Sequence, residues 1–99
     1  MGEDQERARA LTRPMAYTLE FAKSAEREFK ALERALQRRI ATHIDALATD
    51  PFPSGTKKLK GEKDLYRIRV GDYRVIYKVE GKRLVVLVLK IAHRRDVYR

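Results

Sequence analysis

The spacing of apolar residues changes twice along the chain and predicts a strand, a helical region and then a strand-rich region. Apolar and polar residues alternate from residue 16 to 21, as in a half-buried strand. Between Ala25 and Leu47 the apolar residues recur three or four positions apart, which is typical of amphipathic helices. From Lys57 the alternation returns. This order of elements predicts an α+β fold.

The helical region carries two apolar stripes and predicts an antiparallel pair of helices. We expect Ser24 to cap the first helix and a break over residues 33–35 to separate the two. The loop over residues 50–55 contains two prolines and a glycine and should end the second helix. The stripes consist of Ala25, Phe29 and Leu32 in the first helix and of Leu36, Ile40, Ile44 and Leu47 in the second.

Three strands follow, and we expect two-residue turns to connect them. The turns are Gly71-Asp72 and Glu80-Gly81, in which glycine supplies the positive φ that such turns require. Lys57–Lys60 adds a short strand or the approach to one. Together with the N-terminal strand and the helix pair, these segments predict a three-to-four-stranded antiparallel sheet with helices on one face. The predicted strands are Leu65–Val70, Tyr73–Val79 and Lys82–Ala92.

The first of these turns fixes which side chains share a face of the hairpin. If Val70 pairs with Tyr73, then Arg69 lies directly opposite Arg74, with Arg67 on the same face and the apolar side chains on the other. Like charges placed opposite each other cost about 0.2–1 kcal/mol. An anion held between the two guanidinium groups offsets this cost, because such groups bind phosphate through paired hydrogen bonds. The sequence therefore predicts a phosphate clamp, and two solvated arginines that point apart are the alternative.

The excess positive charge lies entirely in the last 43 residues. They carry fourteen lysines and arginines against five acids, whereas the segments before them are balanced. Such segregation favours a polyanionic partner, either nucleic acid or an acidic protein, over a surface that is merely solubilising. Together Lys57, Lys58 and Lys60 extend this basic region as a candidate track for RNA phosphates, whereas each one alone is better explained as an ordinary surface lysine.

The C-terminal segment adds further candidate RNA-binding chemistry. Histidine is the side-chain type that exchanges protons near neutral pH, so His93 is a candidate for acid–base catalysis. Arg94 and Arg95 add positive charge, and Tyr98 is an aromatic residue suited to stacking on a base. A structural role is the alternative for His93, and a place in the core is the alternative for Tyr98. The second histidine, His43, is predicted to lie at the surface or edge of the second helix.

Composition disfavours several classes of site. The chain has no cysteine, which excludes disulfides and thiolate zinc sites, and its two histidines lie far apart, which disfavours a histidine metal site. No stretch approaches the roughly eighteen apolar residues of a membrane span. We therefore expect a cytoplasmic protein that uses no metal or cofactor. Residues 1–14 are interpreted as a flexible extension, followed by a single domain over residues 15–99.

Four segments carry a resemblance to a known family. They are MAYTLEF, AEREFKAL, KKLKG and the long segment DLYRIRVGDYRVIYKVEGKRLVVLVLKIAHRRDVYR. Between Met15 and Tyr98 the chain resembles the RelE branch of the RelE/ParE toxin superfamily. The stretch from Leu65 to Tyr77, together with the terminal HRRDVYR, is the most specific part of the likeness.

The resemblance implies a microbial-ribonuclease-like fold and a toxin that cleaves messenger RNA in the ribosomal A site without a metal. It also implies a cognate antitoxin that wraps the toxin, and contacts with the ribosome that include 16S ribosomal RNA. Arg74 matches the phosphate-binding arginine of the family, and Tyr98 matches the terminal tyrosine that contacts an mRNA base. Either His93 or Arg94 falls at the acid–base position, which varies between branches.

Arg67 and Arg69 depart from the family pattern, since they stand where relatives often carry lysines or other basic groups. Arginine does not readily lose a proton, so neither is a convincing general base. This leaves His93, a lysine such as Lys58 or Lys60, or a ribosomal group for that role.

The mechanism predicted from these residues uses the 2′-OH of the RNA as the nucleophile. Arg69 and Arg74 hold the scissile phosphate with help from Arg67, His93 gives a proton to the leaving oxygen, and Tyr98 orients a base. Two other functions stay open. A ParE-like toxin shares the fold but inhibits DNA gyrase, and a non-catalytic relative would bind RNA without cleaving it.

Overall fold

The computed structural model describes residues 16–61 and 63–96, which form two helices and five strands. The predicted α+β fold is confirmed. The extension over residues 1–14 and Tyr98 lie outside the described residues. In chain order the elements are β1 (Thr18–Phe21), α1 (Lys23–Lys30), α2 (Arg34–Leu47), β2 (Lys57–Lys58), β3 (Leu65–Val70), β4 (Tyr73–Glu80) and β5 (Val85–His93).

The five strands form one mixed sheet in the order β1-β5-β4-β3-β2. The pairs β2–β3, β3–β4 and β4–β5 are antiparallel, as predicted. The structure adds that β1 joins the same sheet and runs parallel to β5, with Thr18 beside Val85 and Phe21 beside Val88. A parallel pair needs a long connection between its strands, and here the rest of the domain supplies it.

The start of α1 differs from the prediction. The residue before the helix is Ala22, with no side-chain cap, and Ser24 lies inside the first turn. The sheet explains this start, because the N–H of Ala22 donates to the carbonyl of Val88 at 2.9 Å while its own carbonyl accepts from the N–H of Glu26 at 2.9 Å. Pairing with β5 thus fixes the point at which the strand turns into a helix.

The connection between β4 and β5 also differs from the prediction. Glu80 pairs with Val85, so that four residues, not two, separate the strands. Leu84 takes the left-handed conformation with φ 54°, whereas Gly81 does not. The Leu84 carbonyl accepts a hydrogen bond from the N–H of Thr18 at 2.7 Å. The contact with β1, which is distant in sequence, therefore holds this longer turn.

The helices pack on one face of the sheet, and the core lies between the two layers. The predicted inner face of the β3–β4 hairpin is confirmed, since Ile68, Val70 and Val75 are buried there. Tyr66 and Tyr73 are partly buried against the same core. The helices contribute Ala25, Ile40, Ile44 and Leu47.

One extra residue interrupts β5. Ile76 of β4 lies opposite Lys90, but the next residue, Tyr77, lies opposite Val88, so Leu89 has no directly opposed partner in β4. Such a bulge shifts the alternation of inner and outer side chains by one position. As a result Val88 and Ile91 both face the core.

Candidate nucleic-acid interface

The β3–β4 hairpin places Arg69 directly opposite Arg74, as predicted. Gly71 opens the connecting turn with φ 61°, a conformation that favours glycine. Side chains that face each other across an antiparallel pair have Cβ atoms about 4.5–5.5 Å apart. The two side chains therefore leave the sheet from adjacent points on its outer face, as a clamp for one phosphate requires.

Arg67 extends this basic face. It lies opposite Ile76 in β4 and opposite Lys57 in β2, so all three side chains share the outer face with Arg74. Ile76 is only 9% exposed although it lies on the side away from the helices. The aliphatic parts of long basic side chains cover apolar surface in this way.

The predicted lysine track divides at the short β2 strand. Lys57 lies opposite Arg67, whereas Lys58 lies opposite Tyr66 and thus belongs to the other face. Lys60 follows β2 in an exposed turn. Of the three lysines, the structure therefore aligns Lys57 with the arginine face.

His93 lies at the same end of the sheet but on the opposite face from Arg74. It pairs with Tyr73, and the two rings meet edge to face with centroids 5.5 Å apart. The residue that pairs with Arg74 is Ala92. The Nδ1 atom of His93 accepts a hydrogen bond from the N–H of Arg95 at 3.2 Å, which places the proton of a neutral ring on Nε2.

Arg94 is tied to the hairpin by its backbone. Its N–H donates to the carbonyl of Asp72 at 2.7 Å, so the exposed turn that begins at Arg94 lies beside the Gly71-Asp72 turn. The predicted residues of β3, β4 and the C-terminal turn therefore gather at one end of the molecule.

Arg39 of α2 reaches the same end, and sequence reasoning missed it. A Cβ atom added to Gly71 would lie 3.2 Å from Nη1 of Arg39, so this guanidinium group packs against the β3–β4 turn. The contact joins a helix to a hairpin that follows much later in the chain. No local spacing signals it, because periodicity reports only which face of a helix is apolar.

A cavity of about 260 Å³ adjoins the clamp at the edge of β3. The two residues of β2 pair only with Tyr66 and Arg67, and β3 continues past them. The exposure predicted for His43 is confirmed, and this residue lines the cavity. The other lining residues are Ala46, Pro53, Ser54, Gly55, Ile68 and Arg69.

The described residues provide neither a metal site nor a membrane span. Residues 16–61 and 63–96 contain no group of three or more histidine, cysteine or acidic side chains suited to a metal. Within the same ranges, neither helix is long and apolar enough to cross a membrane.

Comparison with known proteins identifies the family. The model of the ParE toxin of type II toxin–antitoxin systems, parDE, matches residues 17–98. The chain belongs to this toxin family. The toxin is 30% identical to a putative toxin RelE1 of Methanocaldococcus jannaschii, over 86% of this chain and 98% of that protein. It is therefore a RelE-like toxin of the RelE/ParE superfamily.

Two further relatives support this placement. The mRNA interferase toxin RelE of Escherichia coli is 28% identical over 85% of the toxin and 92% of that protein. A chain in the crystal structure of the archaeal RelE–RelB complex from Pyrococcus horikoshii is 36% identical and superposes with a TM-score of 0.73, covering 84% of the toxin and all of that chain.

Proposed function

We propose that the toxin is an endoribonuclease that cleaves messenger RNA in the ribosomal A site without a metal ion. The observation that carries this proposal is the pairing of Arg69 with Arg74 on the outer face of the sheet, with Arg67 alongside. The relative in Escherichia coli that is named an mRNA interferase supports the same activity.

The arginine face suits cleavage by the RNA's own 2′-OH. This oxygen attacks the phosphorus, the bond from phosphorus to the 5′-oxygen breaks, and the products are a 2′,3′-cyclic phosphate and a 5′-OH. Negative charge accumulates on the phosphate oxygens in the transition state, and fixed guanidinium groups stabilise it. Arg69 and Arg74 bind these oxygens, while Arg67 assists or holds a neighbouring phosphate. Because the nucleophile belongs to the RNA and the arginines supply the charge, the reaction needs no metal.

The two proton transfers involve different groups. The proton of the 2′-OH goes to a general base, for which Lys60 or a ribosomal group is the candidate, because Lys58 lies on the other face from the arginines. The 5′-oxygen receives a proton from His93, which must act from the end of the sheet because its ring lies on the Tyr73 side. Arg94 contributes charge beside it.

Further residues of the proposed site bind RNA without acting in the reaction. Lys57 and Arg95 bind backbone phosphates, and Tyr98 stacks on a base.

The proposed partners are the ribosome with its mRNA and a cognate antitoxin. The Pyrococcus horikoshii structure contains RelE together with RelB, which supports an antitoxin partner for this toxin as well. Contacts with 16S ribosomal RNA follow from action in the A site, and so does a cytoplasmic location.

The test is cleavage of mRNA on purified ribosomes, mapped by primer extension. We expect Arg74→Ala to slow single-turnover cleavage by about 100- to 1,000-fold, because it removes a donor to the transition state. Arg83→Ala is the matched control, since Arg83 lies in the β4–β5 turn, where it pairs with Glu80. Thermal denaturation establishes that both variants fold. Full activity of Arg74→Ala would remove the clamp from the mechanism.

Inhibition of DNA gyrase is the second candidate function, and the match to the ParE family model favours it. Expression of the toxin in cells, followed by mapping of DNA breaks and mRNA ends, distinguishes gyrase inhibition from mRNA cleavage. Double-strand DNA breaks without new mRNA ends support gyrase inhibition, whereas cuts inside translated codons support the ribonuclease. Binding of RNA without either effect supports a non-catalytic relative.

A further inference from the structure

We propose that the cavity between α2, the loop over residues 53–55 and β3 binds one base of the RNA, next to the phosphate held by Arg69 and Arg74. This inference rests on the proposed function, since it takes RNA as the substrate. It adds a specificity-determining subsite in which His43 accepts a hydrogen bond from the base.

Arg69 connects the cavity to the clamp. Its side chain belongs to the outer face of β3, opposite Arg74, and the same residue lines the cavity at the edge of the sheet. A phosphate bound at Arg69 therefore places the attached nucleotide at the mouth of the cavity.

The walls of the cavity match the chemistry of a base. Ala46, Pro53 and Ile68 supply apolar surface for the faces of a flat ring, and Ser54 supplies a polar group for its edge. Binding sites for small organic groups typically combine apolar walls with a few placed polar atoms in this way. None of the lining residues is acidic, so the charge of Arg69 is not offset within the cavity, which suits an anionic nucleotide.

The hydrogen bond between His43 and Arg39 determines what the imidazole offers to a ligand. Nδ1 of His43 lies 2.9 Å from the carbonyl oxygen of Arg39. A carbonyl oxygen only accepts, so Nδ1 must carry the proton in this bond, and Nε2 of the neutral ring is left as an acceptor. The side chain therefore accepts a hydrogen bond from an N–H group on the edge of the base, such as the 6-amino group of adenine.

Nuclear magnetic resonance of the full-length, ¹⁵N-labelled toxin tests whether a base occupies the cavity. We expect ribose 5-phosphate to shift the amide signals of Arg69 and Arg74, and AMP to shift those of Ala46, Ser54 and Gly55 in addition. A response to AMP, CMP, GMP and UMP that is identical to that of ribose 5-phosphate overturns the base subsite while the clamp survives. If none of these ligands shifts the amide signals of Arg69 or Arg74, the base subsite is overturned and the proposed ribonuclease site is contradicted as well.

A filling substitution provides an independent test. Ala46 is exposed on α2, so Ala46→Leu keeps a good helix former and places extra bulk in the cavity. We expect this substitution to lower the affinity of the toxin for AMP to its affinity for ribose 5-phosphate. Ala35→Leu is the matched control, because Ala35 is also exposed on α2 but does not line the cavity. Equal affinity for AMP in the two variants contradicts the proposal.

The role of His43 is tested with a base that lacks a donor. Purine riboside 5′-monophosphate differs from AMP only in the missing amino group. We expect the toxin to bind AMP about 3- to 10-fold more tightly, which is the effect of one hydrogen bond, and His43→Phe to abolish the difference. Equal affinity of the unmodified toxin for both nucleotides overturns the role of His43. The amide signals of Ala46, Ser54 and Gly55 could instead shift on addition of the antitoxin but not of any nucleotide. That result would assign the cavity to protein docking and overturn the proposal as a whole.

Discussion

The carboxylate of Glu28 in α1 accepts a hydrogen bond from the backbone N–H of Ile91 in β5, at 2.9 Å. The last pair between β1 and β5 is Phe21 with Val88, so β5 continues beyond the end of its parallel neighbour. The side chain of Glu28 takes the place that a longer β1 would occupy, and its other oxygen lies 3.8 Å from the ammonium group of Lys90. Helix α1 thereby holds the part of β5 that leads to His93.

We expect Glu28→Ala to lower the free energy of unfolding by about 1–3 kcal/mol, because it leaves the N–H of Ile91 without its acceptor. Glu28→Gln keeps an acceptor oxygen and should cost less. Glu26→Ala is the control, since Glu26 forms an exposed ion pair with Lys30 that is worth about 0.5 kcal/mol or less. Urea denaturation measures all three, and equal losses at Glu28 and Glu26 would contradict the capping role.

Tyr77 should make stability depend on alkaline pH. Its hydroxyl group donates to the carbonyl of Pro51 at 2.7 Å, and burial raises the pKa of Tyr77 above its ordinary value of 10.0. The folded state therefore favours the neutral phenol. This contribution to stability is complete below pH 10 and is lost as the pH rises through the raised pKa.

The matching experiment is Tyr77→Phe, followed by thermal denaturation between pH 7 and about pH 11. We expect a loss of about 0.5–1.5 kcal/mol at pH 7, from the missing hydrogen bond, and a weaker decline of stability above pH 10. Tyr73→Phe serves as the control, since Tyr73 is only partly buried. An unchanged alkaline decline in Tyr77→Phe would exclude Tyr77 as its source.

The pairing of Arg69 with Arg74 should cost stability when no anion is bound between them. Replacing Arg69 by threonine removes the repulsion and adds a residue that favours strands, so we expect a gain of about 0.2–1 kcal/mol at low salt. Screening reduces the gain at 1 M salt. Arg83→Thr, which breaks an exposed ion pair with Glu80, should give no gain. A loss of stability in Arg69→Thr at low salt would show that the pairing is not repulsive.

Proton transfer by His93 predicts that His93→Ala slows single-turnover cleavage on the ribosome by about 100- to 10,000-fold. Arg94→Ala, made at the neighbouring position, should retain the pH dependence of the rate, since arginine does not exchange its proton in this range. If His93→Ala cleaves normally, the proton donor lies elsewhere, and the contact of His93 with Tyr73 is structural.

The register of the β3–β4 hairpin followed from the sequence because local geometry determines it. A two-residue turn with glycine at its first position leaves one way to pair the flanking residues, and the apolar alternation agrees with that pairing. This was enough to place Arg69 opposite Arg74. The same reasoning failed for the β4–β5 turn, where the contact between Leu84 and Thr18 outweighs the local preference of Gly81.

The rest of the site depends on contacts between elements that lie far apart in the chain. Arg39 reaches the hairpin turn from α2, and His43 meets the edge of β3 through the same helix. Periodicity assigns both residues to the exposed side of α2, which is correct, but it does not tell which other element approaches that side. The face of the sheet on which His93 lies could likewise not be predicted from the sequence, because it depends on the bulge at Leu89.

That bulge also decides which groups the end of β5 presents on each side of the sheet. If Leu89 paired with Ile76 in a regular ladder, every later residue of the strand would change sides: His93 would move to the face of Arg74, and Ile91 would leave the core. Deletion of Leu89 would, by contrast, leave Ile91 opposite Val75 and His93 opposite Tyr73, because Val88 would then be followed directly by Lys90. The surface chemistry of this short segment thus depends on whether one leucine is bulged or paired, while its amino-acid sequence stays the same.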